Sequence, residues 1–131
     1  MSDWAAEFAE AWLKAWNAHD CEAILAHYAE AVRYESPFVA QLQGHPEGRL
    51  LGKAAVRSYV AAALERFPTL RFEPIAVYGG AGSLVIEYHS VNGLIAAETF
   101  VLDSAHRATA VYCHYRRKDP QAGAQTAHET Q

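Results

Sequence analysis

The chain has little of what marks several large classes of protein. Its 131 residues include two cysteines, Cys21 and Cys113, which fit no metal or redox motif; we expect reduced thiols in a cytoplasmic protein. The formal charge is -4 and the longest basic cluster is residues 116–118, which argues against a nucleic-acid partner. No apolar run approaches the ~18 residues that span a bilayer. The N-terminus lacks the pattern of a signal peptide, so no membrane partner is expected.

Recognisable cofactor and metal motifs are also missing. The seven histidines show neither His-x-His nor His-Glu-x-x-His spacing, and catalytic zinc needs about three convergent ligands. The glycine-rich run at 79–82 lacks the pattern of a phosphate-binding loop and is predicted to be a hairpin turn. We therefore expect no metal and no cofactor.

Aromatic side chains recur every four residues near the N-terminus: Trp4, Phe8, Trp12 and Trp16. This spacing predicts one face of a first helix, whose start Ser2 or Asp3 can cap. Asp20 is a natural cap for a second, short helix with Tyr28 on its inner face.

The region that follows is predicted to be irregular. Residues 32–36 alternate as a short strand does, and Pro37 limits that strand. Residues 38–52 are rich in glycine and proline and show no period, so we predict a long loop of the kind that often covers a site. The third helix is predicted from Gly52 to just before Pro68.

The remaining segments are predicted to be strands: 70–78, 83–90, 94–103 and 107–117. Pro74 is expected to bulge the first of these or to place it at an edge, and Asn92-Gly93 is a strong hairpin signal. Helices followed by a meander indicate an α+β fold, with helices on one face of a sheet. We predict one domain over 1–118 and a mobile tail over 119–131.

The strand at 94–102 is apolar on both sides. One face carries Glu98 among apolar residues, and the other carries Ile95, Ala97, Thr99 and Val101. An antiparallel sheet with helices on one side normally exposes polar residues on its other face. The sequence therefore predicts a homodimer through the outer, convex sheet face.

These elements resemble the nuclear transport factor 2-like superfamily, which includes ketosteroid isomerases and SnoaL-like proteins. The similarity lies in 15–20 (AWNAHD), 24–30, 32–37, 52–57 (GKAAVR) and the closing meander. The resemblance implies a cone-shaped α+β barrel: three N-terminal helices packed on a curved mixed or antiparallel sheet. A cavity would lie between the first helix, the third helix and the concave sheet face. This fold serves enzymes and binding modules alike.

The resemblance also implies where an isomerase site would lie. At the position of the general-base aspartate this chain has Ser36, and at the position of the oxyanion-binding tyrosine it has Trp12. The protonated aspartate corresponds to Glu98. A serine does not abstract a proton next to a carbonyl unless a second base activates it, so ordinary ketosteroid isomerase activity is not expected.

Glu98 is the candidate catalytic residue. On a dry cavity wall its pKa should rise, which would let it donate a hydrogen bond near neutral pH. The alternative is a structural carboxylate bonded to Tyr88 or Tyr115 on a neighbouring strand.

The candidate ligand contacts are mostly aromatic: Trp12, Trp16, Tyr28, Tyr34, Ser36, Tyr59, Phe72, Tyr88, Phe100 and Tyr115. Tyr34 and Ser36 share a strand face and should line the pocket mouth. For most of the others, core packing is the better interpretation, with Trp12 as the exception. His114 is assigned to the dimer face rather than the cavity, although a one-residue bulge would reverse this.

Three functions remain open. The favoured one is a small-molecule pocket protein for an apolar or aromatic ligand. The second is a cofactor-independent lyase, isomerase or cyclase acting on a carbonyl compound, with Glu98 as general acid or electrostatic stabiliser. The third is a dimeric protein-interaction module.

Overall fold

The computed structural model describes residues 3–118, which form four helices and six strands. The helices are α1 (Trp4–Asn17), α2 (Cys21–Leu25), α3 (Pro37–Gln43) and α4 (Lys53–Arg66). The strands are β1 (Tyr28–Glu35), β2 (Arg49–Leu51), β3 (Glu73–Gly79), β4 (Ser83–His89), β5 (Leu94–Leu102) and β6 (Ala108–Arg117). The expected α+β class is confirmed.

One mixed sheet contains all six strands, in the order β2-β1-β6-β5-β4-β3. The β1–β6 pair is parallel, and the other pairs are antiparallel. Pro74 lies on the edge strand β3, where the register shifts between Pro74 and Ala76. Both expectations for this proline are therefore confirmed, because an edge strand tolerates the missing N–H donor.

Helix α1 buries the predicted aromatic face against the sheet. Phe8, Trp12 and Trp16 are buried, while Trp4 stacks on His106 at 5.0 Å between ring centroids. Asp3 occupies the N-cap position without a side-chain capping bond, and the alternative cap, Ser2, lies outside the described residues. The tail predicted over 119–131 also lies outside them.

The predicted helix cap at Asp20 and the predicted turn at Asn92-Gly93 are both present in the structure. The Asp20 side chain accepts a hydrogen bond from the Ala23 amide (3.1 Å) and so caps α2. Asn92 and Gly93 adopt φ values of 58° and 70° in the 3₁₀ turn Val91–Gly93 that joins β4 to β5. These are the left-handed values that asparagine and glycine tolerate best.

The predicted loop over 38–52 is wrong, because α3 and β2 form within it. Ser36 accepts a hydrogen bond from the Phe38 amide (3.2 Å), Pro37 occupies the first turn, and Gly44 ends the helix at φ 69°. Serine cap, proline and left-handed glycine together specify a short helix. The sheet also begins earlier than predicted, since Tyr28 is the first residue of β1 rather than part of α2.

The alternation on β5 gives the sheet two different faces. Ala96, Glu98 and Phe100 are at most 1% exposed and point toward the helices. On the other face, Thr99 is half-buried and Val101 is 38% exposed.

No helix within residues 3–118 is long and apolar enough to cross a membrane.

Candidate functional site

A narrow cavity lies between α1, α3, α4 and the inner face of the sheet, where the cone was expected to be hollow. It leaves about 30 Å³ for the centres of water-sized molecules, which is room for roughly one or two waters. Pockets for drug-sized ligands typically measure about 300–1,000 Å³. A ligand larger than water therefore enters only if the cavity wall moves.

The wall is almost entirely apolar and aromatic. Seven of the predicted residues line it: Trp16, Tyr34, Tyr59, Phe72, Tyr88, Glu98 and Tyr115. The sequence interpretation missed seven others: Phe38, Leu42, Ala63, Phe67, Leu70, Ser90 and Val91. Phe38 and Leu42 belong to α3, so the capping signal that predicts this helix would also have indicated that part of the wall.

Glu98 is the acidic side chain on this wall and is 1% exposed. The Tyr88 hydroxyl donates to its Oε1 at 2.6 Å, while its Oε2 has no hydrogen-bond partner within the part of the chain that is described. Burial raises the pKa of Glu98 to about 7, and the hydrogen bond from the Tyr88 hydroxyl opposes this rise. A carboxyl group with this pKa exchanges its proton near neutral pH.

The structural interpretation of Glu98 is confirmed for one of its oxygens, whereas its role as a catalytic residue stays a prediction. One oxygen is structural, since it is bonded to Tyr88 on the neighbouring strand β4. The other is buried without a hydrogen-bond partner among residues 3–118, and the same side chain lines the cavity. An unpaired buried acceptor costs about 1–3 kcal/mol, which a ligand donor or a water could offset.

Tyrosines surround the carboxyl group and stay neutral. Burial raises the pKa values of Tyr34, Tyr59, Tyr88 and Tyr115 above that of a free tyrosine. Their hydroxyls can therefore donate or accept hydrogen bonds but do not act as bases near neutral pH. Behind them, the buried Cys113 thiol donates to the Tyr34 hydroxyl at 3.6 Å.

Trp12, Tyr28 and Phe100 do not line the cavity, which corrects the choice of Trp12 as a ligand contact. All three side chains are fully buried in the closed core. The Trp12 indole Nε1 donates to the Tyr28 hydroxyl at 3.1 Å, and its ring meets Phe100 edge-on at 5.2 Å. Trp16, one turn later on α1, reaches the cavity instead.

Ser36 was expected at the pocket mouth, but it does not line the cavity. Its hydroxyl oxygen caps α3, and its side chain borders a separate surface cleft with Glu35, Tyr112 and His114. Ser36 is 3% exposed, as is Tyr34, and Val32 on the same strand face is fully buried, so the alternation of β1 continues to Ser36. Tyr34, two residues earlier, does line the cavity.

His114 lies on the outer face of β6, as predicted. It is exposed, and its Nδ1 lies 3.3 Å from the Ala97 carbonyl oxygen, while its neighbour Cys113 is buried on the inner face. Both cysteines are free. Among residues 3–118, no three acidic, histidine or cysteine side chains come close enough to hold a metal ion.

Comparison with known proteins identifies the family. A SnoaL-like domain model matches residues 9–122. A SnoaL-like protein of unknown function from Burkholderia thailandensis E264 is 40% identical, with a TM-score of 0.83 over 88% of this chain and 96% of that one. No curated protein matches the chain.

More distant solved structures share the fold. A candidate isomerase of the SnoaL-like family from Agrobacterium tumefaciens C58 is 19% identical, with a TM-score of 0.68 over 85% of this chain and 96% of that one. A candidate polyketide cyclase from Sinorhizobium meliloti is 12% identical, with a TM-score of 0.69 over 82% and 94%. The α+β fold is thereby confirmed, and the chain belongs to the SnoaL-like family.

Proposed function

We propose that this protein binds a small apolar or aromatic molecule in the cavity between the helices and the sheet, and that it lacks ordinary ketosteroid isomerase activity. The observation that carries this proposal is the Glu98 carboxyl group, which is buried on the cavity wall with Oε2 unpaired among the described residues. A protein core rarely keeps an unsatisfied carboxyl oxygen without a use for it.

The wall around Glu98 suits an aromatic ligand. Phe72 and Tyr88 lie 4.6 Å apart between ring centroids, and Phe72 lies 5.3 Å from Trp16. Ring faces and edges at these separations offer the contacts that flat apolar molecules prefer. A few polar groups within such a wall fix a ligand's orientation, and here Glu98 and the tyrosine hydroxyls supply them.

Helix α3 is the part of the wall best suited to move. It has seven residues, and its Phe38 ring meets Phe67 at 6.0 Å and Tyr115 at 5.0 Å over the cavity. Gly44 ends the helix in a left-handed conformation beyond which the chain is irregular. Outward rotation of Phe38 and Leu42 would enlarge the cavity without breaking the sheet.

The side chains at the isomerase positions are already engaged elsewhere. Ser36 caps α3, and the Trp12 indole N–H is bonded to Tyr28. Within the described wall, Glu98 is the side chain whose pKa lies near neutrality. An isomerase that uses a separate acid and base would need a second titrating side chain beside Glu98, and the described wall offers none. This favours binding over isomerase chemistry.

A second function is favoured by the pKa of Glu98 itself. With a pKa of about 7, much of the Glu98 carboxyl group is protonated at neutral pH. Glu98 could therefore donate a proton to a substrate carbonyl as a general acid. Tyr34 and Tyr88 would then position the substrate. The protein would be a cofactor-independent lyase, isomerase or cyclase, in line with the names of its more distant structural neighbours.

Binding is tested by filling the cavity. Ala63 on α4 lines the cavity, whereas Ala61 on the same helix is exposed. A thermal-shift screen of aromatic and terpenoid-like compounds should find a ligand that stabilises the wild type by about 2.7 kcal/mol at 100 times its Kd. Ala63→Leu should lose this stabilisation and Ala61→Leu should keep it. A broad screen without a hit, or equal responses of both variants, would contradict the proposal.

The two functions separate at Glu98→Gln. Glutamine keeps an oxygen that accepts from Tyr88 but cannot donate an acidic proton. A binding protein should retain its ligand in this variant, whereas an enzyme should lose turnover while still binding. Circular dichroism of the variant checks that the fold is unchanged.

Assembly and location complete the proposal. On the outer face, Tyr78, Val85, Thr99 and Tyr112 are aligned across four strands by the sheet register. We propose that this surface pairs with a second copy of the chain, because apolar sheet faces are normally covered. The free thiols Cys21 and Cys113 support a cytoplasmic location.

A further inference from the structure

A surface cleft adjoins the cavity where the segment after α4 meets the turn between β4 and β5. Four residues line both the cleft and the cavity: Phe67, Leu70, Ser90 and Val91. The cleft leaves about 390 Å³ for the centres of water-sized molecules, whereas the cavity leaves about 30 Å³. The room that a small molecule needs therefore already exists at the border of the cavity.

The charged side chains that line this cleft are both arginines. Arg66 ends α4, and Arg71 lies in the segment before β3. No carboxylate of residues 3–118 lines the cleft, although the chain as a whole has a formal charge of -4. The cleft therefore has the opposite sign to the whole protein, and fixed positive charge in a concave site concentrates anions there.

Arg66 is positioned by an aromatic ring. Its guanidinium carbon lies 5.1 Å from the centroid of the Phe67 ring, and Phe67 meets Phe38 of α3 edge-on at 6.0 Å. Among residues 3–118, Arg66 forms no ion pair with a carboxylate. A guanidinium stacked on a ring keeps its N–H groups for a planar partner such as an oxyanion.

Arg71 is partly engaged, because its Nε donates to Glu73 Oε1 at 2.6 Å. A guanidinium has five N–H donors, so this bond leaves others for a ligand. The side chains of Thr69, Ser90 and Asn92 also line the cleft, and their hydroxyl and amide groups are neutral donors. An oxyanion placed here can accept from charged and neutral groups together.

We propose that this cleft is an anion-binding site, in which an oxyanion (a carboxylate or a phosphate) pairs with Arg66 and Arg71 while the apolar part of the same molecule extends into the cavity. For that apolar part, the inference rests on the proposed binding function. Arg66 is the principal partner, because Arg71 is already paired with Glu73. Selection for an anion thus takes place outside the cavity, at a site that does not involve Glu98.

Three probes with one ring system test the site: 2-naphthoate, 2-naphthyl phosphate and the uncharged 2-naphthamide. Their Kd values are measured by calorimetry on the wild type, on Arg66→Gln and on the control Arg107→Gln. Arg107 lies in the exposed turn between β5 and β6 and does not line the cleft, so the control makes the same change of charge elsewhere. The ratio of the amide Kd to each anion Kd separates the anion site from binding of the ring.

At least one anion should bind the wild type about fivefold more tightly than the amide, the modest gain that exposed ion pairs give. This gain should persist in Arg107→Gln and fall below about twofold in Arg66→Gln, because one of the two cationic partners is gone. In about 1 M salt the Debye length is about 3 Å, so the wild type should lose the gain. The salt series needs no variant and remains decisive if Arg66→Gln folds poorly. The larger gain identifies the preferred oxyanion.

The outcomes distinguish the anion site from the binding function of the cavity. If the amide binds but neither anion binds more tightly, or the gain is the same in Arg66→Gln as in the wild type, the anion site is wrong and the binding function stands. A gain that high salt leaves unchanged leads to the same conclusion. If none of the probes binds, the binding function itself is contradicted, and the inference is lost with it.

Discussion

The inner and outer faces of β5 differ although they come from alternate residues of one strand. Inside, Glu98 and Phe100 are at most 1% exposed and meet the aromatic residues of α1 and β4. Outside, Thr99 is half-buried and Val101 is exposed. Both faces are rich in apolar side chains. They differ in the kind of group that lacks a partner: polar atoms on the inner face and apolar surface on the outer face.

Within residues 3–118, the unpaired groups on the inner side of the sheet are polar atoms, Glu98 Oε2 and Trp16 Nε1. On the outer face they are apolar surfaces such as Val101 and Tyr78, which are 38% and 55% exposed. Buried polar groups without partners indicate a bound molecule, whereas exposed apolar surface indicates a protein neighbour. One strand thus carries both a candidate binding wall and a candidate subunit interface.

The largest expected effect comes from truncating neighbouring residues on the two faces. Phe100→Ala should lower the free energy of unfolding by about 3–5 kcal/mol, because it opens a void in the closed core. Val101→Ala should cost below about 1 kcal/mol, since its side chain is partly solvated. Urea unfolding at low protein concentration measures both. Equal costs would contradict the assignment of inner and outer faces.

The next effect is a pH dependence that belongs to Glu98. Its folded pKa of about 7 exceeds the ordinary 4.5, so the folded state binds the proton more tightly than the unfolded state. Proton binding by Glu98 therefore stabilises the folded state. This stabilisation is fully present below pH 4.5 and is lost as the pH rises to about 7, and it amounts to about 3 kcal/mol.

Glu98→Gln should remove that loss, so the variant gains stability relative to the wild type between pH 5 and 8. Glu87→Gln is the matched control, because Glu87 pairs across the strands with Ala97 on the outer face and carries the same charge change. Urea titrations at both pH values provide the comparison. If the free energies of unfolding of the wild type and Glu98→Gln differ by the same amount at pH 5 and at pH 8, Glu98 does not titrate between these pH values and the prediction is wrong.

A smaller effect is expected for assembly through the outer face. Thr99→Arg would place an unpaired charge in the proposed interface, so the dimer should weaken at least tenfold, the equivalent of about 1.4 kcal/mol. Thr69→Arg makes the same change on an exposed loop and should leave the dimer intact. Sedimentation reports both; a wild type that is monomeric at about 50 μM, well above ordinary interface Kd values, would count against the interface.

The smallest effect concerns the helix that closes the inner face. Ser36→Ala removes the cap of α3 and should cost about 1 kcal/mol. It should also speed hydrogen exchange of the Phe38 and Val39 amides more than that of β5 amides. Uniform exchange changes across the molecule would indicate that α3 is not a separate moving part.

Long periodic signals in the sequence predicted the fold well. The aromatic stripe of α1, the Asn92-Gly93 turn and the alternation around Glu98 follow from local geometry, and the structure retains them. The short elements α3 and β2 were missed because they lack a hydrophobic period. Their signal is in single residues, the serine cap and the left-handed glycine.

The candidate site was harder to predict than the fold. Trp12 and Trp16 share one face of α1, and a four-residue spacing does not tell which indole meets the cavity and which is bonded to Tyr28. Ser36 lies on the buried side of β1 with Val32 and Tyr34, but it caps α3 and does not line the cavity, and strand alternation does not describe that cap. The cavity's narrowness depends on how Phe38 and its neighbours pack, and no sequence pattern encodes that packing.

The central claim is that the Glu98 carboxyl group is buried on the wall of the cavity, on the inner face of the sheet. Carbon-13 NMR titration of the glutamate carboxyl groups, with the Glu98 signal assigned by its absence from Glu98→Gln, measures this directly. A midpoint near pH 7 is the predicted result. A midpoint near 4.5, the ordinary value for a solvated glutamate, would contradict the account.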